Sequence, residues 1–345
     1  MTAETIEIDG RMGEGGGQIL RTGLTLALLQ GRPLSIRNIR HKRPKPGLLR
    51  QHLTCVQAAQ AISQGTTRGA QLRSETLAFE PGPVQGGEYH FDVGSSGSTT
   101  LVFQTVLLPL LQTNEASTLH FTGGTHNPWA PPLTFVEEVF LPLLRQMGAN
   151  VSIETGRWGY HPAGGGQWTA HIRPSTLSPV TLLDRPALTD SRVTAYISNI
   201  RLDVAKRELA RYRELDPATG SQTGIAHPEA LCAGNLLSHT LDFGDFKAQF
   251  SQLGQHRVRA ETIAERLAQQ VTDYLSHPVT LCEHLTDQIM LPMLVAGGGC
   301  FSTRELSLHA STNRNLIEQI TGQAIRLQEE ADRVVLSLEK EAWLL

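Results

Sequence analysis

The segment Gly13–Arg21 (GEGGGQILR) has the residue types of an anion-binding turn. It is rich in glycine, carries one carboxylate at Glu14, and leads into a predicted helix that has Arg21 near its start. Glycine-rich turns and helix N-termini present unpaired backbone N–H groups, which favour anions. By itself the pattern is equally compatible with a structural turn between a strand and a helix.

A second segment, Arg40–His52 (RHKRPKPGLLRQH), is dense in positive charge. Its prolines stiffen a loop whose guanidinium groups suit bidentate contacts with phosphate oxygens. The surrounding window, 15–74, contains ten Lys or Arg and no Asp or Glu, although the whole chain has a formal charge of −3. This asymmetry indicates a local site for a polyanion; a solvated basic face is the alternative.

A third segment, Gly123–Pro132 (GGTHNPWAPP), combines glycine, proline and an aromatic residue. With Phe135 one helical turn further on, it predicts a rigid apolar shelf that could bind a nucleobase. A simple helix-capping turn is the other interpretation of the same residues.

Composition limits the class of protein. The chain has 345 residues, 40% of them hydrophobic, which suits one large domain or two ordinary ones with a buried core. Its four cysteines are far apart, its N-terminus lacks a secretory pattern, and no apolar run is long enough to span a membrane. We therefore expect a cytoplasmic protein with no membrane partner. The motifs of P-loop NTPases, zinc-helix proteases and serine hydrolases are absent.

A unit of helix, strand, polar loop and helix is predicted three times. In the first unit the elements are a helix from 15–18 to about 29, a strand at 34–39, a loop at 40–45 and a helix at 47–63. In the second they are a helix from 94–98 to about 112, a strand at 117–122, a loop at 123–130 and a helix at 131–147. In the third they are a shorter helix opened by 286–288, a strand at 304–308, a loop at 309–312 and a helix at 313–321. Such repeats can share one core.

A segment that does not follow the repeat pattern separates the second unit from the third. It predicts a strand at 193–200, a helix at 203–214, a flexible turn at 217–224, strands at 236–243 and 246–252, and a helix at 260–275. An insert of this size could fold by itself. We therefore predict a discontinuous main domain, 1–185 with 279–345, and an inserted small α/β domain, 186–278.

Packing of the three units around a pseudo-threefold axis would bring their equivalent parts together. These parts are the helix N-termini at Gln18, Ser98 and Asp287 and the loops at Arg40, Thr125 and His309. The repetition therefore predicts one shared anion-binding centre.

Taken together, these segments resemble the RNA 3′-terminal phosphate cyclase family over essentially the whole chain. The resemblance is carried by Glu14–Arg21, Arg43–His52, Gly94–Gln104, Gly123–Pro132, Pro162–Gly166, Asp287–Gly297 and the segment around His309. It implies an α/β (α+β) fold of three repeats, each a four-stranded sheet with two helices, around a pseudo-threefold axis, plus the smaller inserted domain.

The activity that the resemblance implies is ATP-dependent conversion of an RNA 3′-terminal phosphate to a 2′,3′-cyclic phosphodiester. It proceeds through a covalent histidine–AMP intermediate, transfer of the adenylate to the RNA 3′-phosphate, and attack by the adjacent 2′-hydroxyl. ATP and an RNA that ends in a 3′-phosphate are thus the expected partners, and the chain could be a monomer or a homodimer.

The resemblance also implies roles for residues at matching positions. His309 matches the nucleophile, and Glu14 matches a carboxylate expected near a divalent cation, Mg²⁺ or Mn²⁺. The residues expected to bind ATP or AMP are Gln104, Pro131, Phe135, His284, Leu285, Thr286, Asp287 and Gln288. The residues expected to hold the triphosphate or the RNA terminal phosphate are Gln18, Arg21, Arg40, Arg43, Gln51 and His52.

The sequence departs from the family pattern beside two of these positions. His284 stands where some bacterial members have tyrosine, and both residues are aromatic and can stack on adenine. Ala310, Ser311 and Arg314 stand where aliphatic residues are more usual, which affects packing behind the predicted nucleophile.

Two other classes of protein fit parts of the pattern. One is a non-catalytic relative of the cyclases that binds RNA in ribosome assembly, and the retention of His309, Glu14 and the arginines argues against it. The other is an enolpyruvyl transferase with the same repeated architecture, whose signatures are missing from this chain.

Overall fold

The computed structural model describes residues 4–339. Its helices are α1 (Gly17–Gln30), α2 (Arg50–Ser63), α3 (Thr99–Leu111), α4 (Leu133–Phe135), α5 (Leu141–Gln146), α6 (Leu202–Leu215), α7 (Ala260–Leu275), α8 (Glu283–Val295) and α9 (Leu308–Thr321). A π-helical turn (Val136–Phe140) joins α4 to α5.

The strands form four sheets. They are β1 (Ile6–Asp9), β2 (Leu34–Arg37), β3 (Thr66–Arg68), β4 (Leu77–Glu80), β5 (Gly87–Asp92), β6 (Ser117–Gly123), β7 (Asn150–Thr155), β8 (Gly166–Arg173), β9 (Thr181–Leu182), β10 (Asp190–Ser198), β11 (Gln222–Ala226), β12 (Gly234–Asp242), β13 (Lys247–Leu253), β14 (Gly299–Thr303), β15 (Ile325–Glu329) and β16 (Val334–Leu338).

Three of the sheets have the same connectivity, which confirms the predicted repeat. Their strand orders are β1-β2-β4-β3, β5-β6-β8-β7 and β9-β14-β16-β15. In each sheet the first two strands are parallel and the other neighbours are antiparallel. The parallel pair is connected through α1 in the first unit and α3 in the second, and through the inserted segment and α8 in the third.

The inserted segment forms the fourth sheet, in the order β11-β10-β12-β13, with α6 and α7 packed against it. The strands and helices predicted there are present. The prediction of a flexible turn at 217–224 is wrong at its end, because β11 begins at Gln222 and pairs in parallel with β10. Local turn composition carries no information about such a long-range pairing. The domain boundaries at 186 and 278 stay a prediction.

The third unit differs most from its prediction. Its second strand is β14 rather than 304–308, and α9 begins at Leu308 rather than at 313. The backbone of Ser307 is extended, and its hydroxyl accepts a hydrogen bond from Ala310 N at 3.1 Å, so it is the N-cap. His309 consequently lies in the first turn of a helix and not in a loop.

Helix α1 brings the three units together. It packs against α2 of its own unit, α3 of the second and α9 of the third. Most of its residues are buried, including Leu20, Leu24 and Leu26. Close packing depends on Gly23, since an added Cβ would lie 2.8 Å from Ile8 Cδ1. The N-terminal end of α1 is therefore held at the junction of all three units.

Candidate active site

A cavity of about 1620 Å³ lies at this junction. Side chains from all three units and from the inserted segment line it. Among the residues predicted for the site, those that line it are Glu14, Gln18, Arg21, Arg40, Arg43, Gln51, His52, Gln104, Pro131, Phe135, His284, Asp287, Gln288 and His309. Leu285 and Thr286 do not, because both are buried on the core side of α8 and Thr286 Oγ1 donates to Cys282 O at 3.0 Å.

The convergence predicted from the repeats is observed in part. Gln18, Asp287, Arg40 and His309 line one cavity. Ser98 and Thr125 are fully buried instead and do not line it. Ser98 is the N-cap of α3, and Thr125 Oγ1 accepts from Gly159 N at 2.9 Å, so both side chains are occupied by the backbone.

His309 has an acceptor oxygen close to each of its ring nitrogens. Its Nδ1 lies 3.0 Å from Gln18 Oε1, and its Nε2 lies 3.0 Å from Glu14 Oε2. The side chain is 52% exposed, so the ring is accessible from the cavity. The ring is therefore oriented by α1 and its preceding turn while it stays open to a ligand.

Glu14 is the most buried acid of the cavity, with 5% of its side chain exposed. Its backbone N–H donates to Thr312 Oγ1 at 3.1 Å, which ties the glycine turn to α9. Its Oε2 accepts from Arg43 Nη2, and its Oε1 is buried without a hydrogen-bond partner. A buried carboxylate oxygen of this kind is an available ligand for a cation.

A polar chain connects His309 to the interior. Gln18 Nε2 donates to Asp287 Oδ2 at 3.1 Å, and Asn313 Nδ2 donates to Asp287 O at 2.8 Å. Thr22 Oγ1 donates to Asn313 Oδ1 at 2.7 Å. Burial raises the pKa of Asp287 to about 7, and the nearby charge of Arg21 opposes this shift.

The Gln18 amide has one orientation that satisfies both neighbours. Its NH₂ group donates to Asp287, so its oxygen faces His309 Nδ1. Because the Gln18 oxygen can only accept, a hydrogen bond between these atoms requires a proton on His309 Nδ1. In the neutral ring this would leave the electron pair on Nε2, but Glu14 Oε2 lies 3.0 Å from that nitrogen, and this contact is a hydrogen bond only when Nε2 is protonated as well.

The side chains predicted to contact phosphate have different hydrogen-bond partners. Arg40 Nη1 donates to the carbonyls of Lys45 and Gly47, so this guanidinium holds its own loop in shape. Gln51 Oε1 accepts from Ser98 N at 3.0 Å and so joins α2 to the start of α3. The roles of Arg40 and Gln51 as phosphate contacts stay predictions. Within the described residues, the Arg21 and Arg43 guanidinium groups do not donate to the backbone of this loop.

His52 is a neutral residue of the cavity wall. Its Nδ1 accepts from Leu49 N at 3.3 Å at the start of α2. Burial, with the charges of Arg21 and Arg40, lowers its pKa to about 3. Gly17 packs directly against it, because an added Cβ would lie 2.3 Å from His52 Nε2. A neutral ring here can donate from Nε2 to a phosphate oxygen.

The residues of the predicted apolar shelf also line the cavity. Pro131 and Phe135 line it, and Phe135 is only 3% exposed. Gln104 of α3 donates to Gln288 Oε1 of α8, which joins the second unit to the third. His284 is exposed at the start of α8 on the same cavity.

Several residues that line the cavity were not among the predicted site residues. Asn313 was predicted only as part of a helix, yet it lies four residues after His309 and therefore on the same helical face. Arg50 lines the cavity at the start of α2. The inserted segment, in which no site residue was predicted, supplies residues of β13, including Phe250 and Gln252. No local motif marks the last contribution, since it depends on how the insert packs.

Within residues 4–339 one group of three potential metal ligands is close enough to share an ion. It consists of Glu88, His90 and His120 on the second sheet, outside the cavity. At the cavity, Glu14 is a carboxylate with one unpartnered oxygen. A Mg²⁺ ion is often held by one or two carboxylates together with phosphate oxygens and water, and the unpartnered Oε1 of Glu14 fits this arrangement.

Fold and cavity together define an α/β protein of three repeated units with an arginine-lined cavity where they meet. The chain matches the family model described as "RNA 3′-terminal phosphate cyclase" over residues 12–327. It belongs to this family. No helix in the described part of the chain is both long and apolar enough to cross a membrane.

Curated relatives cover nearly the whole chain. A protein named RNA 3′-terminal phosphate cyclase from Ectopseudomonas mendocina is 42% identical over 336 residues, covering 97% of this chain and 98% of the relative. Proteins of the same name from Ralstonia nicotianae and Koribacter versatilis are 41% and 39% identical, covering 98% of this chain and 97% and 96% of their own lengths.

Proposed function

We propose that this protein is an ATP-dependent RNA 3′-terminal phosphate cyclase that works through a covalent His309–AMP intermediate. The observation that carries the proposal is the position of His309, a half-exposed ring fixed by Gln18 at a cavity lined by arginines. Family membership supports the overall reaction, and the geometry of this ring supports the intermediate.

The first step is attack on ATP. With its proton on Nδ1 directed to Gln18, His309 attacks the α-phosphorus through Nε2. The new N–P bond forms as the bond to the pyrophosphate oxygen breaks, and pyrophosphate leaves. Glu14 Oε2 contacts the attacking nitrogen, so this carboxylate must find another partner for the electron pair to be free.

A divalent cation would provide that partner. Glu14 would hold Mg²⁺ or Mn²⁺ through its carboxylate, together with triphosphate oxygens and water. When bound, the ion neutralises charge on the phosphates. Arg43, released from Glu14, would then be free to contact phosphate oxygens bidentately.

The second and third steps use the RNA end. An oxygen of the RNA 3′-phosphate attacks the phosphorus of the bound AMP, the N–P bond breaks and His309 is regenerated. The adjacent 2′-hydroxyl then attacks the activated 3′-phosphorus, loses its proton and expels AMP. Adenylation matters because a phosphate monoester lacks a good leaving group, and AMP supplies one.

The cavity has space for both substrates. Its volume of about 1620 Å³ exceeds the roughly 300–1,000 Å³ usual for a small-molecule site. Adenine would contact Pro131 and Phe135, with His284 lining the same cavity. The triphosphate would extend along the N-terminus of α1, whose N-cap, Gly16, has no side chain to occupy the first N–H groups.

The test is an assay of the product. A 3′-phosphorylated oligoribonucleotide is incubated with ATP and Mg²⁺, and the end is then challenged with a phosphatase that removes monoesters but not cyclic diesters. Wild-type protein and the control variant His90→Ala, altered on the second sheet away from the cavity, should give a resistant end. His309→Ala should give none. A phosphatase-sensitive end with wild-type protein would refute the proposed reaction.

A further inference from the structure

Trp129 is the most exposed large hydrophobic side chain in residues 4–339, with a relative exposure of 99%. It nevertheless lines the cavity. An indole left entirely in water gives up the stabilisation that burial would provide. Single exposed apolar residues are common on protein surfaces, but one that lines a cavity can also contact a ligand that enters it.

The backbone holds this exposed position. Trp129 has φ +68°, in the left-handed region that bulky residues rarely adopt. The loop is fixed on both sides, because Asn127 Nδ2 donates to Ser96 O at 2.6 Å and Thr100 Oγ1 donates to Pro131 O at 2.8 Å. Left-handed non-glycine residues are often found at ligand clamps. The indole is thus presented by a fixed loop.

The chemistry around Trp129 identifies the kind of ligand. A flat aromatic group in water binds another flat group by stacking, and every nucleobase offers such a face. The arginines of the same cavity suit phosphates. A base that carries phosphates satisfies both features, so the ligand is a nucleotide unit.

The position within the cavity separates the two nucleotides of the reaction. The adenine shelf is closed by Phe135, which is 3% exposed, whereas Trp129 is almost fully exposed. ATP ends inside the cavity, but an RNA chain must continue out of it. A side chain at the outer edge therefore meets the RNA. Leu72, 48% exposed, also lines this cavity and adds apolar surface.

We propose that Trp129 stacks on a nucleobase near the 3′ end of the RNA substrate and so positions the terminal phosphate. The inference rests on the proposed function and adds a named contact to the RNA. Stacking tolerates any base, so this contact would select for a single-stranded end rather than for a sequence.

The first test is direct binding, which does not require turnover. Trp158 and Trp168 are buried, and Trp343, which lies outside the described residues, is replaced by Phe in every protein tested, so Trp129 should dominate any fluorescence quenching by a 3′-phosphorylated oligoribonucleotide. Quenching should be strong in wild-type protein and largely lost in Trp129→Phe. Anisotropy of labelled RNA should show that Trp129→Phe keeps an affinity near that of wild type. Trp129→Ala should bind about 10-fold or more weakly. Equal affinity of wild type and Trp129→Ala would overturn the proposal.

The second test distinguishes RNA from adenine. Protein–AMP formation from ATP alone should be unchanged in Trp129→Ala, whereas the KM for RNA should rise by a similar factor of about 10. A series of RNAs can each carry one abasic site, placed at successive positions from the 3′ end. Wild-type protein should bind one member of the series more weakly than the intact RNA, whereas Trp129→Ala should bind that member and the intact RNA equally. A raised KM for ATP instead would assign the indole to adenine and reject the RNA contact. Binding without cyclisation would refute the proposed function alone.

Discussion

The orientation of Gln18 is the residue-scale feature on which the chemistry of His309 depends. Gln18 accepts from Nδ1 and donates to Asp287, so one amide links a buried carboxyl to the exposed ring. This arrangement could not be read from the sequence, because Gln18 and His309 are 291 positions apart. The sequence nevertheless predicted both as site residues, through separate segments that resemble one family.

We expect Gln18→Ala to slow protein–AMP formation by about 10- to 100-fold, the range for removing a group that orients a working histidine. The physical reason is loss of the acceptor that keeps the proton on Nδ1. The measurement is single-turnover adenylation with labelled ATP. Gln269→Ala is the matched control, since that amide binds Asp273 on α7 and does not line the cavity. An unchanged rate in Gln18→Ala would contradict the tautomer argument.

Asp287 should make stability depend on pH in a defined direction. Its pKa rises from 3.8 to about 7 on folding, so between these values the folded protein binds the extra proton. Stability without ligand should therefore fall as pH increases from about 4 to 7, by at most about 4 kcal/mol. Asp287→Asn should flatten that part of the profile in thermal unfolding experiments. A parallel profile in the variant would show that another group is responsible.

At the scale of elements, the start of α9 shows why sequence reasoning succeeded in two units and failed in the third. The first two units have long apolar helices bounded by glycine turns, and their elements occur where predicted, with shifts of a few residues. In the third, the apolar residues of 304–308 suggested a strand, and the Ser307 cap that starts α9 was overlooked. His309 was thus predicted to lie at the shared site, where it does line the cavity, but it was assigned to the wrong element; its role as nucleophile stays a prediction.

Ser307→Ala should therefore affect both stability and chemistry. Loss of the cap costs about 1 kcal/mol and loosens the turn that carries His309. We expect a lower Tm and slower adenylation, with both restored in Ser307→Asp, which can cap the same helix. Calorimetry and single-turnover adenylation check the two effects. Full activity in Ser307→Ala would mean that the turn is held by other contacts.

Gly17→Ala tests the contact between α1 and α2. The new methyl group would overlap His52 Nε2, and overpacking of this kind costs about 1–3 kcal/mol. Gly224→Ala is the matched control, because nothing lies within 4 Å of a Cβ added there. Chemical denaturation should show a clear loss of stability for the first variant and little for the second. Similar losses in both would rule out a close approach at Gly17.

At the scale of the whole molecule, the charge asymmetry of the sequence corresponds to a place in the fold. Five of the ten basic residues from 15–74 line the cavity, namely Arg21, Arg40, Arg43, Arg50 and Arg73. The sequence could indicate this because charge is a local property of a segment. The contribution of β13 from the insert could not be anticipated, because it depends on packing between distant parts of the chain.

RNA affinity should accordingly depend on salt through the cavity arginines. Each lost phosphate contact lowers the slope of log affinity against log salt by about 0.7 for a single strand. Arg43→Ala should show this reduction. Arg68→Ala should not, since Arg68 belongs to the same basic window but lies on β3 and not at the cavity. Equal slopes for Arg43→Ala and wild type would remove Arg43 from the RNA contacts.

The most direct measurement is to locate the adenylate on the protein. After incubation with α-labelled ATP and Mg²⁺ and no RNA, wild-type protein should carry one AMP, stable to alkali and labile to acid, on a peptide that contains His309. Addition of 3′-phosphorylated RNA should discharge it. His309→Ala should carry no label. Label that persists in this variant, or that maps to another residue in wild type, would contradict the account.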